Sequence, residues 1–164
     1  MTIEQCSGAA IANLSIGQGE LLTTPAQIAH MTNIIAAQGK DPGIHILMED
    51  VKEKDEESLP QIISSKTAEN IREMMAQTMI SGSASQIKAN VSMAGKTGSA
   101  ESHMGGKDVV HGWMTGFVPA EKPEYTITVF VENGQSGSGS AAPVFAQIAE
   151  FLSESGSFEQ AVDF

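Results

Sequence analysis

Three runs decide the fold: Val91-Ser-Met-Ala-Gly-Lys-Thr97, Val109-Val-His-Gly-Trp-Met-Thr-Gly-Phe117 and Tyr125-Thr-Ile-Thr-Val-Phe-Val-Glu132. The third is rich in β-branched residues and alternates Tyr125, Ile127, Val129 and Val131 with Thr126, Thr128, Phe130 and Glu132, which is close to the period of a half-buried strand. Gly105-Gly106 lies in the first connection, and the stretch from Pro119 to Pro123 turns the chain in the second. Three successive strands joined by short connections predict an antiparallel sheet.

Working outward, the flanks carry the period of helices. Upstream, Thr24-Pro25 is a helix start, with a capping hydroxyl followed by a proline at the first helical position. Ile28, Met31, Thr32, Ile35 and Ala36 then recur at helical spacing, and Gly39 ends the run. Pro42-Gly43 is a turn, and Ile44 to Met48 is a short β-like run. Glu49 to Ser58 is crowded with charge and predicts a solvated loop or hairpin. Ser64 or Ser65 caps a second helix, whose apolar face is Ala68, Ile71, Met74, Met75 and Met79, closed by Gly82. Nearer the start, Ala9 to Asn13 reads as the end of an apolar helix or strand. It leads into a glycine-marked turn, Ser15-Ile16-Gly17-Gln18-Gly19. Downstream, Asn133 to Ser140 reads as a glycine-serine loop, expected to be mobile over Ser136 to Ser140. Ala141 to Leu152 is a last amphipathic helix, with Val144, Phe145, Ile148 and Phe151 or Leu152 on one face. The tail from Ser153 to Phe164 is polar and expected to fray. Helices, then strands, then a helix predict an α+β fold, an antiparallel sheet with helices packed on its faces.

Composition narrows the function. The 164 residues amount to about one domain. Nine Lys and Arg against twenty Asp and Glu give a formal charge of −11, which repels a phosphate backbone and argues against nucleic acid as a partner. A single cysteine, Cys6, excludes an internal disulfide framework and a cysteine-rich zinc site. Histidines 30, 45, 103 and 111 show no helical i,i+4 pair, so neither a metal nor another cofactor is expected. The chain opens without a signal-peptide pattern and holds no apolar stretch near the roughly 20 residues that cross a bilayer.

The segment that carries chemistry is Met93-Ala-Gly-Lys96-Thr97-Gly98-Ser99-Ala100-Glu101. A cation and two hydroxyls side by side suit a carboxylate, and a glycine lets a ligand backbone lie close to the strand. Its surroundings sharpen the reading. Ile16-Gly-Gln-Gly-Glu20 and Thr24-Pro-Ala-Gln27 lie upstream; His111-Gly-Trp113 and Val131-Glu-Asn-Gly134 lie downstream. In this order the set resembles the C-terminal part of a class B penicillin-binding protein transpeptidase domain, over roughly residues 9 to 152.

The resemblance implies a serine acyltransferase that cross-links peptidoglycan stem peptides and is blocked by β-lactams. It implies that Lys96 supplies positive potential near the nucleophile and the substrate carboxylate. Thr97 and Ser99 would bind that carboxylate with their hydroxyls, and Gly98 and Ala100 would complete the substrate-binding wall. The Ser99 backbone N–H would be one of two oxyanion donors. The family's nucleophile lies in a Ser-x-x-Lys motif, and a Ser-x-Asn motif lines the opposite wall. No asparagine here (13, 33, 70, 90, 133) has a serine two positions earlier. The one Ser-x-x-Lys, Ser85-Gln-Ile-Lys88, comes on the wrong side of the chain order and in a glycine-serine turn rather than at the start of a buried helix.

Residues 1 to 164 are therefore expected to be the C-terminal portion of a single transpeptidase domain, part of the penicillin-binding and β-lactamase-like fold, inactive without the missing serine. The alternative is a non-catalytic module of the same fold that senses β-lactam or peptidoglycan or binds a partner. Apolar surface left by the absent half is expected to drive self-association. The resemblance also implies an N-terminal membrane anchor outside these residues, with the domain on the extracytoplasmic face of a bacterial cell.

Overall fold

The computed structural model describes residues 7–19, 21–47, 56–156 and 158. Helices α1 (Gly8–Ser15) and α2 (Pro25–Ala36) are followed by a 3-10 turn (Glu56–Ser58) and helix α3 (Ser65–Ile80). Strands β1 (Ala94–Met104), β2 (Lys107–Val118) and β3 (Tyr125–Val131) come next, then a π-helical turn (Gly137–Ala141) and helix α4 (Ala142–Glu154). The strands pair antiparallel in the order β1-β2-β3, so β1 and β3 are the edges. The fold is α+β, as its alternating and helical periods predict.

Local chemistry starts the helices. Thr24 and Gln27 form a reciprocal capping box at α2: the Gln27 N–H donates to Thr24 Oγ1 (3.2 Å), and the Thr24 N–H donates to Gln27 Oε1 (2.9 Å). Ser64, rather than Ser65, caps α3 by accepting the Thr67 N–H at 3.1 Å. Gly39, at φ +88, turns the chain after α2. A Cβ there would lie 2.2 Å from the Ile63 carbonyl oxygen, so only glycine fits.

The register sorts the side chains onto two faces. Met114, Val118, Ile127 and Val129 face α4 and close the larger core with Phe145, Ala142, Ala146 and Ala149. Phe117 and Ala94 face α2 and α3 and pack with Met75, while Ile35, Ala36 and Ile71 border them. On the same face the buried Thr32 of α2 bonds Thr115 Oγ1 at 2.8 Å, so this seam is hydroxyl-linked at its centre.

Several expectations are corrected. β1 extends well past Thr97, because Glu101, Ser102, His103 and Met104 pair with Val110, Val109, Asp108 and Lys107 across Gly105-Gly106. Both glycines have positive φ (+58 and +78), the conformation a two-residue hairpin turn needs. Residues 44–47 form no strand: no strand among the described residues borders them, and Ile44, Ile46 and Leu47 are exposed. Met48 and residues 49–55 of the charged stretch lie outside the described residues. The buried stripe of α4 is Ala142, Phe145, Ala146 and Ala149, with Leu152 beside it, whereas Val144, Ile148 and Phe151 are exposed. The alanines bring the helix close to the sheet, and Gly116 makes room for the Phe145 ring, whose Cζ lies 2.9 Å from where a Cβ would stand. Met31 and Met74 also turn outward. Cys6 and most of the tail fall outside the described residues; Phe158 stacks edge-on against Tyr125 at 5.8 Å.

Candidate functional site

Lys96, Thr97, Gly98, Ser99 and Ala100 all lie on β1, opposite Thr115, Met114, Trp113, Gly112 and His111 of β2. Because β1 is an edge, one side of its backbone has no strand partner among the described residues. Alternation puts Lys96, Gly98 and Ala100 on the α2/α3 face of the sheet, and Thr97 and Ser99 on the α4 face. Lys96 and Ser99 are exposed, and Thr97 is half-buried.

Each polar group has a defined setting. Lys96 Nζ donates to the Thr97 carbonyl at 2.6 Å and has no carboxylate partner among the described residues. Thr97 Oγ1 shares a hydrogen bond of 2.6 Å with Ser83 Oγ, from the turn that follows α3. The Ser99 hydroxyl accepts the Gly137 N–H at 3.1 Å, which leaves its own O–H free to donate. The Ser99 carbonyl accepts Gln18 Nε2 at 3.1 Å.

The glycines here serve close packing. A Cβ on Gly98 would stand 3.3 Å from Trp113 Cβ. A Cβ on Gly137 would stand 2.4 Å from the Gly98 carbonyl oxygen and 2.6 Å from that of Trp113. The π-helical turn thus lies directly on the backbone of β1 and β2. The stretch Ser136 to Ser140, expected to be a loose loop, is instead a buttress for the strand. Ser136 starts it by accepting the Gly139 N–H at 2.9 Å, and Gly137 and Ala141 are buried in it.

Beyond Lys96, the α2/α3 face of the sheet is covered only in part. Trp113 packs on Phe130 at 4.6 Å, and His111 lies 5.4 Å from the same ring. His111 Nδ1 accepts the Asn133 N–H at 3.1 Å, which sets the imidazole with its proton on the other nitrogen. Trp113 therefore anchors packing, and His111 is a strand residue on that partly open face. Glu101 is exposed on β1 opposite Val110.

Sequence reasoning missed Gln18, Ser83 and Gly137 as neighbours of the motif. Gln18 was readable only as part of a turn, and Ser83 sits in a serine-rich stretch with no distinguishing signal. Ser85 and Lys88 make no hydrogen bond with each other, and Ser85 belongs to the turn leading from α3 towards β1. Among the described residues no group of three or more His, Cys, Asp or Glu is arranged to hold a metal ion. His30 instead pairs with Asp41 at 2.6 Å, and His103 with Asp108 at 2.9 Å across the hairpin. No helix among the described residues is long and apolar enough to cross a membrane.

The family model described as the penicillin binding protein transpeptidase domain matches residues 3–150. The chain is 35% identical over 157 residues to the peptidoglycan D,D-transpeptidase MrdA of Acinetobacter baumannii, covering 81% of this chain and 23% of that protein. It is 32% identical over 176 residues to the penicillin-binding protein PbpB of Mycobacterium tuberculosis, covering 92% of this chain and 26% of that protein. Its fold superposes on the crystal structure of Pseudomonas aeruginosa PBP2 in complex with WCK 5153 with a TM-score of 0.69. That match has 30% identity and covers 92% of this chain and 34% of the other. The chain thus spans about a quarter of the length of the curated relatives it matches.

Proposed function

The chain belongs to the penicillin-binding protein transpeptidase family, and from that premise we propose that β1 is the substrate-binding wall of a peptidoglycan D,D-transpeptidase, a serine acyltransferase inhibited by β-lactams. The observation that carries this reading is the setting of Lys96 to Ala100. An ammonium with no carboxylate partner among the described residues, the Thr97 and Ser99 hydroxyls and a backbone edge with no strand partner there stand together on one accessible strand.

The chemistry follows from that arrangement. An extended peptide ending in D-Ala-D-Ala adds along the edge of β1, as a strand adds to an unpaired sheet edge. Its terminal carboxylate meets the Thr97 and Ser99 hydroxyls, and Lys96 adds positive potential. The scissile carbonyl oxygen faces the Ser99 N–H, which holds the negative charge that develops when a serine hydroxyl attacks. The terminal D-Ala leaves as the amine, and the acyl group passes to the amine of a second stem peptide. Gly98 and Ala100 keep the wall low, so that the peptide backbone can approach.

The attacking serine and its base come from outside these 164 residues in this reading, since Ser85 sits in the turn after α3 and makes no hydrogen bond with Lys88. Activity therefore belongs to the whole polypeptide, working in cell-wall synthesis on the extracytoplasmic face of a bacterium. The test is labelling of the full polypeptide by a fluorescent penicillin. A covalent band that free ampicillin competes away supports the reading; a protein that takes no label refutes it.

A further inference from the structure

Gln18 stands at the open edge of β1, and nothing so far gives it work. It is presented by a turn whose two glycines both occupy the left-handed region, Gly17 at φ +73 and Gly19 at φ +86. The helix before this turn, α1, buries none of its residues. The turn nevertheless carries the Gln18 side chain to a partner 81 residues away, the Ser99 carbonyl, at 3.1 Å.

Alternate residues of an antiparallel strand send their N–H and C=O to the same side. Thr97 and Ser99 are such a pair. The Thr97 carbonyl is taken by Lys96 Nζ and the Ser99 carbonyl by Gln18 Nε2. Two successive outward acceptors of an edge strand are therefore occupied by side-chain N–H donors of the chain itself. An added peptide strand would offer its own backbone amides to the same acceptors. A primary amide is the side chain closest in chemistry to a backbone peptide group.

We propose that Gln18 is a latch on the substrate edge: its amide stands in for the amide of an incoming acyl peptide at Ser99, and the peptide must displace it to bind. This inference rests on the transpeptidase reading above. Gln18 is a positioning residue in it, acting on the Ser99 peptide group rather than on reacting atoms. The competing geometry is one in which Gln18 and the peptide share the two lone pairs of the Ser99 oxygen; in that case removing Gln18 weakens binding.

The two differ in sign. In the full polypeptide, Gln18→Ala and Gln18→Asn remove the amide or draw it back out of reach. KM for an N-acyl-D-Ala-D-Ala peptide, and the second-order rate of acylation by a fluorescent penicillin, are read beside the unsubstituted protein. The latch predicts that KM falls about two- to tenfold, the range for releasing one exposed neutral hydrogen bond, and that acylation quickens correspondingly. A slowed deacylation can lower KM but cannot quicken acylation, so a fall in KM together with faster acylation is diagnostic. Gln18→Glu, which places an anion beside the docking carboxylate, is expected to raise KM instead. An unchanged or raised KM in both Gln18→Ala and Gln18→Asn overturns the latch and leaves the transpeptidase reading standing. If the unsubstituted protein neither turns over the peptide nor takes label, the reading falls and the latch falls with it.

Discussion

Gly137→Ala places the sharpest demand on the account of how the strand is held. The new Cβ would lie 2.4 Å from the Gly98 carbonyl oxygen, 2.6 Å from the Trp113 carbonyl oxygen and 2.7 Å from the Gly98 nitrogen. All three are backbone atoms of paired strands, so no flexible side-chain end can move aside. The π-helical turn must lift off β1, and the Gly137 N–H then loses Ser99 Oγ, now at 3.1 Å. Overpacking of this kind costs about 1–3 kcal/mol. The lost hydrogen bond adds about 0.5–1.5 kcal/mol. The sum is roughly 2–4 kcal/mol, which urea unfolding followed by circular dichroism reads as a midpoint lowered by about 1–2 M. Gly8→Ala is the control, since a Cβ at Gly8 meets nothing within 4 Å and its φ is not positive. It is expected to leave the midpoint unchanged or slightly raised, because alanine is the better helix former. A Gly137→Ala protein within about 0.5 kcal/mol of the parent would refute the claim that this turn buttresses the motif strand.

Other outcomes follow from the same structure. Phe145→Ala empties the centre of the larger core, where Phe145 is fully buried, and is expected to cost about 3–5 kcal/mol in the same unfolding assay. Thr24→Ala removes the capping box of α2 and should cost about 1 kcal/mol, with Thr24→Ser restoring most of it. The 164-residue chain by itself should form no covalent adduct with a fluorescent penicillin, and a labelled band lost in Ser85→Ala would reverse the assignment of that serine. Ile11, Ile16, Leu22 and Phe151 are exposed, so sedimentation velocity on the same chain should show self-association that strengthens with concentration. A monodisperse monomer would contradict that expectation.

The sheet and the helix starts were legible because their signals are local. Alternation fixes a strand, and Thr24-Pro25 fixes a helix start, whatever lies around them. The motif strand was legible locally only as far as Thr97; the roles of Gly98, Ser99 and Ala100 came from the family resemblance, and pairing with β2 carries the strand on to Met104. What escaped depends on partners distant in sequence. Residues 44–47 carry a strand-like composition, but no sheet edge among the described residues lies beside them. Val144, Ile148 and Phe151 fit an apolar helical stripe, yet the alanines of α4 win the sheet because they allow closer approach and Gly116 admits Phe145. The segment Ser136 to Ser140 has the composition of a loose loop, and its order comes from backbone contact with Gly98 and Trp113. Gln18 and Ser83 reach the motif from 81 and 14 residues away, and nothing in their own neighbourhoods announces it.

The central claim is that β1 receives an anionic peptide terminus at Lys96, Thr97 and Ser99. A crystal structure of the full polypeptide acylated by a β-lactam measures it most directly. The account predicts the ligand carboxylate within hydrogen-bond distance of the Thr97 and Ser99 hydroxyls, with the acyl carbonyl oxygen on the Ser99 N–H. A ligand carboxylate bound away from β1, with that edge still closed by Gln18, would contradict it.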